Sequence, residues 1–305
     1  MIDLMQFEAT DGLRLSGLLY KPRRRTDEAV IYLHGNGDSS IFTSAKRTNA
    51  FGKALTRAGI AFLPFDNRGA HRVKWMKQTK GGESVPVDGG MAFELIRDCV
   101  HDIDGALRYL RTLGYRRFHL IGHSTGANKI CVYHYRKPRN QVSSYVLIAP
   151  GDDCGIYRHA LGPKRIEAAI RKCRDRIRAH RGMELVPKSW SPFLISFRSF
   201  LDTVDPDGDY NVFPFREAME GPRISKRKPL FREFRSITRP MLVIYGSLDE
   251  YAWGDVPGCL ETLVRYAKRP ERLSTEIIAD ADHGFGGKED DLASRVARWI
   301  GSLER

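Results

Sequence analysis

The stretch Phe118-His119-Leu120-Ile121-Gly122-His123-Ser124-Thr125-Gly126 decides how the chain is read. Residues 118–121 are a short apolar run of the kind that forms a buried parallel strand. A Gly-x-Ser-x-Gly turn follows, and a helical stretch then runs up to Pro138. A strand, a sharp turn at serine and a helix together make the setting of a nucleophile elbow. The serine sits on a strained turn, so the residues two positions before and after it must be small. Gly122 and Gly126 meet that demand. Ser124 is therefore the candidate nucleophile.

Outward from this point the chain alternates strands and helices. Apolar runs at 29–33, 60–65, 145–149, 241–245 and 275–278 read as further buried strands. Between and after them, apolar residues recur at helical spacing. One face is Phe51, Ala54, Leu55 and Ala58, and another is Ile96, Cys99, Val100, Ile103, Leu107 and Leu110. The same spacing returns in Val256, Cys259, Leu260, Leu263, Val264 and Ala267, and in Leu292, Val296, Trp299, Ile300 and Leu303. The N-terminal segment alternates around a turn at Asp11-Gly12 and predicts an antiparallel hairpin. The fold class expected is α/β, a mostly parallel central sheet with helices on both faces. Two stretches break the rhythm. Residues 70–90 read as a basic loop carrying Trp75 and two glycine pairs. Residues 152–234 fall between two core strands and read as an inserted helical lid, with 1–151 and 235–305 forming the core. Inside the insertion, Ile166, Ile170, Cys173 and Ile177 make an apolar stripe among arginines and lysines.

Over nearly its whole length this pattern resembles the α/β-hydrolase superfamily. The resemblance implies a triad in the chain order nucleophile, acid, histidine. It places the acid at Asp249, in the Gly246-Ser247-Leu248-Asp249-Glu250 loop after strand 241–245, with Glu250 as its neighbouring rival. It places the base at His283, in Asp280-Ala281-Asp282-His283-Gly284-Phe285 after the last strand. His34-Gly35-Asn36-Gly37 resembles the superfamily's oxyanion loop, so the N–H groups of Asn36 and Thr125 are the expected oxyanion donors. Asp66-Asn67-Arg68-Gly69 resembles a scaffold turn of the same superfamily, and its continuation Ala70-His71-Arg72 departs from the pattern. The Gly-His-Ser-Thr-Gly setting is also similar to an esterase-like family that includes fungal siderophore esterases.

Composition narrows the classes. The 305 residues are 42% hydrophobic and 29% charged, as in globular proteins. No apolar run approaches the roughly 20 residues that span a bilayer. The N-terminus lacks the basic and apolar regions of a secretory signal, and five scattered cysteines form no CxxC pair. A reduced, cytoplasmic chain is expected. The histidines are dispersed with no HExxH, no GxGxxG follows the first strand and no GxxxxGK[ST] occurs. No metal and no cofactor are therefore expected. The net charge of +13 would suit an anionic ligand or simple solubility. No zinc-finger spacing or RNA-binding aromatic signature points to nucleic acid.

Together these readings predict hydrolysis of a carboxylic ester through an acyl-enzyme, with a small-molecule substrate for which an anionic group is one expectation. Other chemistries on the same fold are a C–C bond lyase and an acyltransferase, and a homologue that only binds ligand is a further alternative. The anionic expectation rests on residues 164–181, which carry eight basic and two acidic side chains. If the apolar stripe there packed on the sheet's active edge, a basic rim would surround the pocket.

Overall fold

The structure, a computed structural model, describes residues 1–37 and 39–303. The predicted hairpin is β1 (Ile2–Glu8) and β2 (Arg14–Tyr20), paired antiparallel from Ile2–Tyr20 to Glu8–Arg14. The apolar runs become β3 (Glu28–Leu33), β4 (Ala61–Pro64), β7 (Arg117–His123), β8 (Val142–Ile148), β9 (Met241–Gly246) and β10 (Leu273–Ile278). They form one sheet in the order β1-β2-β4-β3-β7-β8-β9-β10. From β4 to β10 every pairing is parallel. β3 and β9 are buried at every position, which is why they read as continuous apolar runs rather than alternating ones.

Helices α1 (Ala45–Arg57), α2 (Cys99–Thr112), α3 (Thr125–Arg136), α9 (Val256–Tyr266) and α10 (Glu289–Ser302) cover the sheet. The buried sides of α1, α2, α9 and α10 hold most of the residues of the periodic stripes. All five cysteines are buried and free, Cys99, Cys131 and Cys259 within the main core.

The expected basic loop at 70–90 is instead a β-hairpin, β5 (Lys74–Lys80) and β6 (Glu83–Gly89). Its turn is Gly81-Gly82, both at positive φ (58° and 87°). Two positive-φ residues are what a tight two-residue hairpin turn needs. The lysines hid the period of two, because only Met76 on β5 is buried.

The segment between β8 and β9, expected as an insertion, is built in two parts. α4 (Asp153–Leu161), α5 (Pro163–Arg178) and α6 (Phe197–Val204) enclose a small core of their own. Ile166, Ala169, Ile170 and Cys173 of α5 lie in it with Phe200 and Val204 of α6. Ile166, Ile170 and Cys173 of the α5 stripe thus pack in this small core, and the condition for a basic rim, a stripe packed on the sheet's active edge, is not met. The second part, from Tyr210 through α7 (Phe215–Met219) and α8 (Arg232–Ser236), sends Tyr210, Phe213, Phe215, Phe231 and Phe234 into the main core.

The turn at 66–69 is pinned by charge. Arg68 donates from Nε and Nη2 to Asp102 Oδ1 (2.9 and 2.7 Å), and its backbone N–H donates to Oδ2 (2.9 Å). Asp11 lies 3.0 Å from the same guanidinium. Asp102 is fully buried, so removing Arg68 would strand a buried charge at a cost of about 3–5 kcal/mol.

Candidate active site

Ser124 occupies the turn between β7 and α3 with φ 54° and ψ −128°, a conformation that costs a non-glycine residue energy. The turn is held from both sides. Ser124 N–H donates to Ile148 O (2.8 Å), and Ser124 O accepts from Ala127 N–H (2.8 Å). A Cβ on Gly122 would stand 2.2 Å from Gly126 O, and one on Gly126 would stand 2.2 Å from Leu33 O. The two glycines are therefore a packing requirement of the elbow. A Cβ on Gly35 would lie 2.9 Å from Ser124 Cβ, so the 34–37 loop runs directly against the serine.

The loops after β9 and β10 bring Asp249 and His283 together. Both carboxylate oxygens of Asp249 lie near His283 Nδ1, at 3.1 and 3.0 Å. Asp249 is buried, and the imidazole is 14% exposed. Asp249 is itself fixed by accepting from Tyr251 N–H (2.9 Å), while the Tyr251 ring meets His283 edge-on at 4.7 Å. Glu250 accepts from the backbone N–H of His283 (3.1 Å). Asp282 turns away and accepts from Gly286 N–H (3.0 Å). Neither reaches the ring, so the three carboxylates near the histidine make separate contacts.

Several further side chains brace these loops. His123, between Gly122 and Ser124, donates from Nε2 to His283 O (2.8 Å), and burial holds its ring well below the usual histidine range. Arg47 of α1 donates to Gly284 O (2.8 Å). His34 is buried and donates from Nδ1 to Gly35 O (2.9 Å), which places it as a brace of its loop. Lys129 on α3 is fully buried, pairs with Glu94 (2.6 Å) and donates to Asn67 Oδ1 (3.0 Å). Asn67 in turn donates to His34 O (3.3 Å). A lysine next to the apolar run Ile130-Cys131-Val132 was the available signal for this network.

The expected oxyanion donors sit at the two sides of the serine. Thr125 is the first residue of α3, and the N–H groups of a helix's first turn have no acceptor within the helix. Asn36 lies on the loop against Ser124, and its Nδ2 donates to Tyr210 Oη (2.9 Å). Tyr210 comes from the insertion and is buried, and burial raises its phenol well above the usual range, so it stays protonated. No local pattern marked Tyr210.

A serine–histidine–carboxylate array also occurs inside the sheet. Ser144 Oγ lies 2.7 Å from His119 Nδ1, and His119 Nε2 lies 2.8 Å from Glu28. Ser144 and His119 are wholly buried within the strands. This array cross-links β3, β7 and β8 and cannot meet a substrate. Among the described residues no group of three His, Cys, Asp or Glu could hold a metal ion. No helix among them is long and apolar enough to cross a membrane.

Comparison with solved structures shows that this architecture is the α/β-hydrolase fold. Est1E from Butyrivibrio proteoclasticus, solved with ferulic acid bound, matches with a TM-score of 0.63 at 14% identity, covering 96% of this chain and 97% of that one. The esterase domain of a Rhodothermus marinus protein matches with a TM-score of 0.56 at 18% identity, covering 99% and 98%. A monoacylglycerol lipase from Paleococcus ferrophilus matches with a TM-score of 0.57 at 17% identity, covering 94% and 98%. No curated protein matches by sequence. Residues 90–301, more than half of the chain, match the family described as "Protein of unknown function (DUF1749)", and the chain belongs to that family.

Proposed function

We propose that the chain is a serine hydrolase that cleaves a carboxylic ester, with Ser124 as nucleophile, His283 as base and Asp249 as the residue that orients it. The observation that carries this reading is the Asp249–His283 contact at 3.0 and 3.1 Å, together with a serine held at φ 54° after His123, whose ring bonds to His283 O. Asp249 accepts the Nδ1 proton of His283, which leaves Nε2 free to take the proton of Ser124 as it attacks the acyl carbon. Charge on the carbonyl oxygen is met by the N–H groups of Asn36 and Thr125. The alcohol leaves with the proton returned by His283. Water activated by the same ring then releases the acid and frees Ser124.

The esterases and the lipase among the structural neighbours favour an ester over the other chemistries of the fold. The insertion acts in this reading as a lid over 152–234. A fluorophosphonate probe followed by peptide mapping tests the assignment: the label is expected on Ser124. A folded, unlabelled protein would return the chain to the ligand-binding alternative. Product analysis separates hydrolysis from acyl transfer and C–C cleavage.

A further inference from the structure

The active site holds polar atoms that the proposed hydrolysis does not use. Asp153 is the first residue of α4, just after β8, and its Oδ2 is buried without a hydrogen-bond partner. Asn128 lies on α3 one turn after Ser124 and is wholly buried. Its Nδ2 donates to Gly151 O (3.3 Å), which places the amide against the segment that carries Asp153. Its Oδ1 has no partner. Asn36 donates to Tyr210 but its Oδ1 also has none. Three side-chain acceptor oxygens on the loop and helices that follow β3, β7 and β8 therefore lack a donor, and Thr125 Oγ1, next to Ser124, is unpartnered as well. An unpaired buried acceptor costs about 1–3 kcal/mol, and native proteins keep few of them.

The cations that act on Asp153 are already engaged. Lys129 is paired with Glu94 and bonded to Asn67, and His283 Nδ1 lies on Asp249. A hydroxyl would bring one donor and two further acceptor lone pairs, whereas an ammonium brings three donors and no acceptor. Resting on the serine-hydrolase reading, we infer that the substrate carries a primary ammonium group near the scissile carbonyl, and that Asp153 is the residue that recognises it, with Asn128 and Asn36 as neutral acceptors.

The groups that face Asp153 are Asp152 on its own turn, His283 after β10, Lys129 on α3, and Tyr157 and Tyr210 of the insertion. Burial, and then the Asp152 charge, push the Asp153 carboxyl up to about 7. Its charge, and with it the attraction for ammonium, is lost as pH falls through that value. This sign is opposite to the anionic substrate suggested by the chain's +13 charge.

The test uses four ethyl esters of similar shape at about 0.15 M salt, where exposed charges beyond about 8 Å are screened. They are the esters of β-alanine, 3-hydroxypropanoic acid and butanoic acid, and monoethyl succinate. The β-alanine ester is expected to exceed the butanoate in kcat/KM by about 10-fold or more at pH 8, the scale of one hydrogen bond to a charged group. The ratio should fall at pH 6, and Asp153→Asn or Asp153→Ser should bring it near one at both pH values. A ratio of one or less in the wild type, also with glycine and 4-aminobutanoate esters, would overturn the inference. So would a preference for the hydroxyl or carboxylate ester, or an ammonium preference that survives in both variants. A binding arm needs no turnover: Ser124→Ala is titrated with n-butylammonium, 1-butanol and butanoate by ligand-observed NMR. If no ester is cleaved, the Ser124 reading fails, while selective ammonium binding that depends on Asp153 still supports this site.

Discussion

The two sides of the candidate site are made by different means. On the strand side, Ser124, Asp249 and His283 follow β7, β9 and β10, and short turns fix each of them. Glycines at 122 and 126 leave no room for a Cβ, and backbone bonds from Ile148 and Ala127 hold the serine. On the insertion side, Asp153 and Tyr210 are separated by three helices that enclose their own small core. One side is specified by contacts within a few residues of each functional group. The other depends on where a long excursion returns. The strand side should therefore hold the chemistry and the insertion side should tune it, and graded substitutions can break that division.

The largest effect is expected at Ser124. Ser124→Ala should cut kcat on short p-nitrophenyl esters by about 10⁴ to 10⁶ while the fold survives, because the loss of a triad member has that scale. A variant that retained a tenth of the wild-type rate would remove the nucleophile from the strand side.

Next come the three carboxylates around His283. Asp249→Asn should lose about 10²-fold or more in kcat, since an amide favours the wrong tautomer of the ring. Glu250→Gln keeps an acceptor for the backbone N–H of His283 and should cost less than about 10-fold, within the range of one neutral hydrogen bond. Asp282→Asn should cost least, because its carboxylate serves Gly286. Equal losses at Asp249 and Asp282 in a common assay would refute the ordering.

The same division explains what the sequence made legible. The sheet could be read because β3 and β9 are buried at every position and announce themselves as apolar runs. Gly122, Gly126 and the loops after β9 and β10 lie close in sequence to the strands that position them, so Ser124, Asp249 and His283 could be named. The hairpin at 74–89 could not, because a surface ribbon with a single buried side chain on β5 has no apolar alternation to show. Tyr210 and Asp153 were also silent. Tyr210 meets Asn36 across 174 positions of sequence, and nothing local to a tyrosine encodes such a contact. The α5 stripe was visible, but its partner was not: an amphipathic helix shows that one face is covered and leaves open by what.

Tyr210 gives the sharpest test of the insertion's part. Tyr210→Phe removes the acceptor of a largely buried Asn36 amide, which should cost about 1–3 kcal/mol of stability. The Asn36 loop runs against Ser124, so kcat should fall about 10-fold with KM nearly unchanged. That is less than the roughly 10² to 10³ expected for loss of an oxyanion donor itself. A fall in thermal stability with kcat intact would make Tyr210 a packing residue only.

The smallest effect is expected on the outer face of α5, where the concentration of arginine first suggested a rim for anionic substrates. That rim requires α5 to lie on the active edge of the sheet. Instead Ile166, Ala169, Ile170 and Cys173 pack inside the insertion, which turns the arginines to solvent. Arg174 pairs with Asp205 (3.2 Å), Arg178 pairs with Asp175, and Arg171 is exposed. Exposed pairs of this kind contribute about 0–1 kcal/mol, and their fields are screened at physiological salt. Replacing Arg171, Arg174 and Arg178 together by Gln should therefore change kcat/KM by less than about twofold for butanoate and succinate esters alike, the scale of an exposed ion pair. The comparison is made at about 0.01 M and 0.15 M salt, because a rim would act most where the Debye length is about 30 Å. A succinate ester favoured at low salt in the wild type, and no longer favoured in the triple variant, would move α5 to the mouth of the site. The insertion would then steer substrate through its surface as well as through Tyr210 and Asp153.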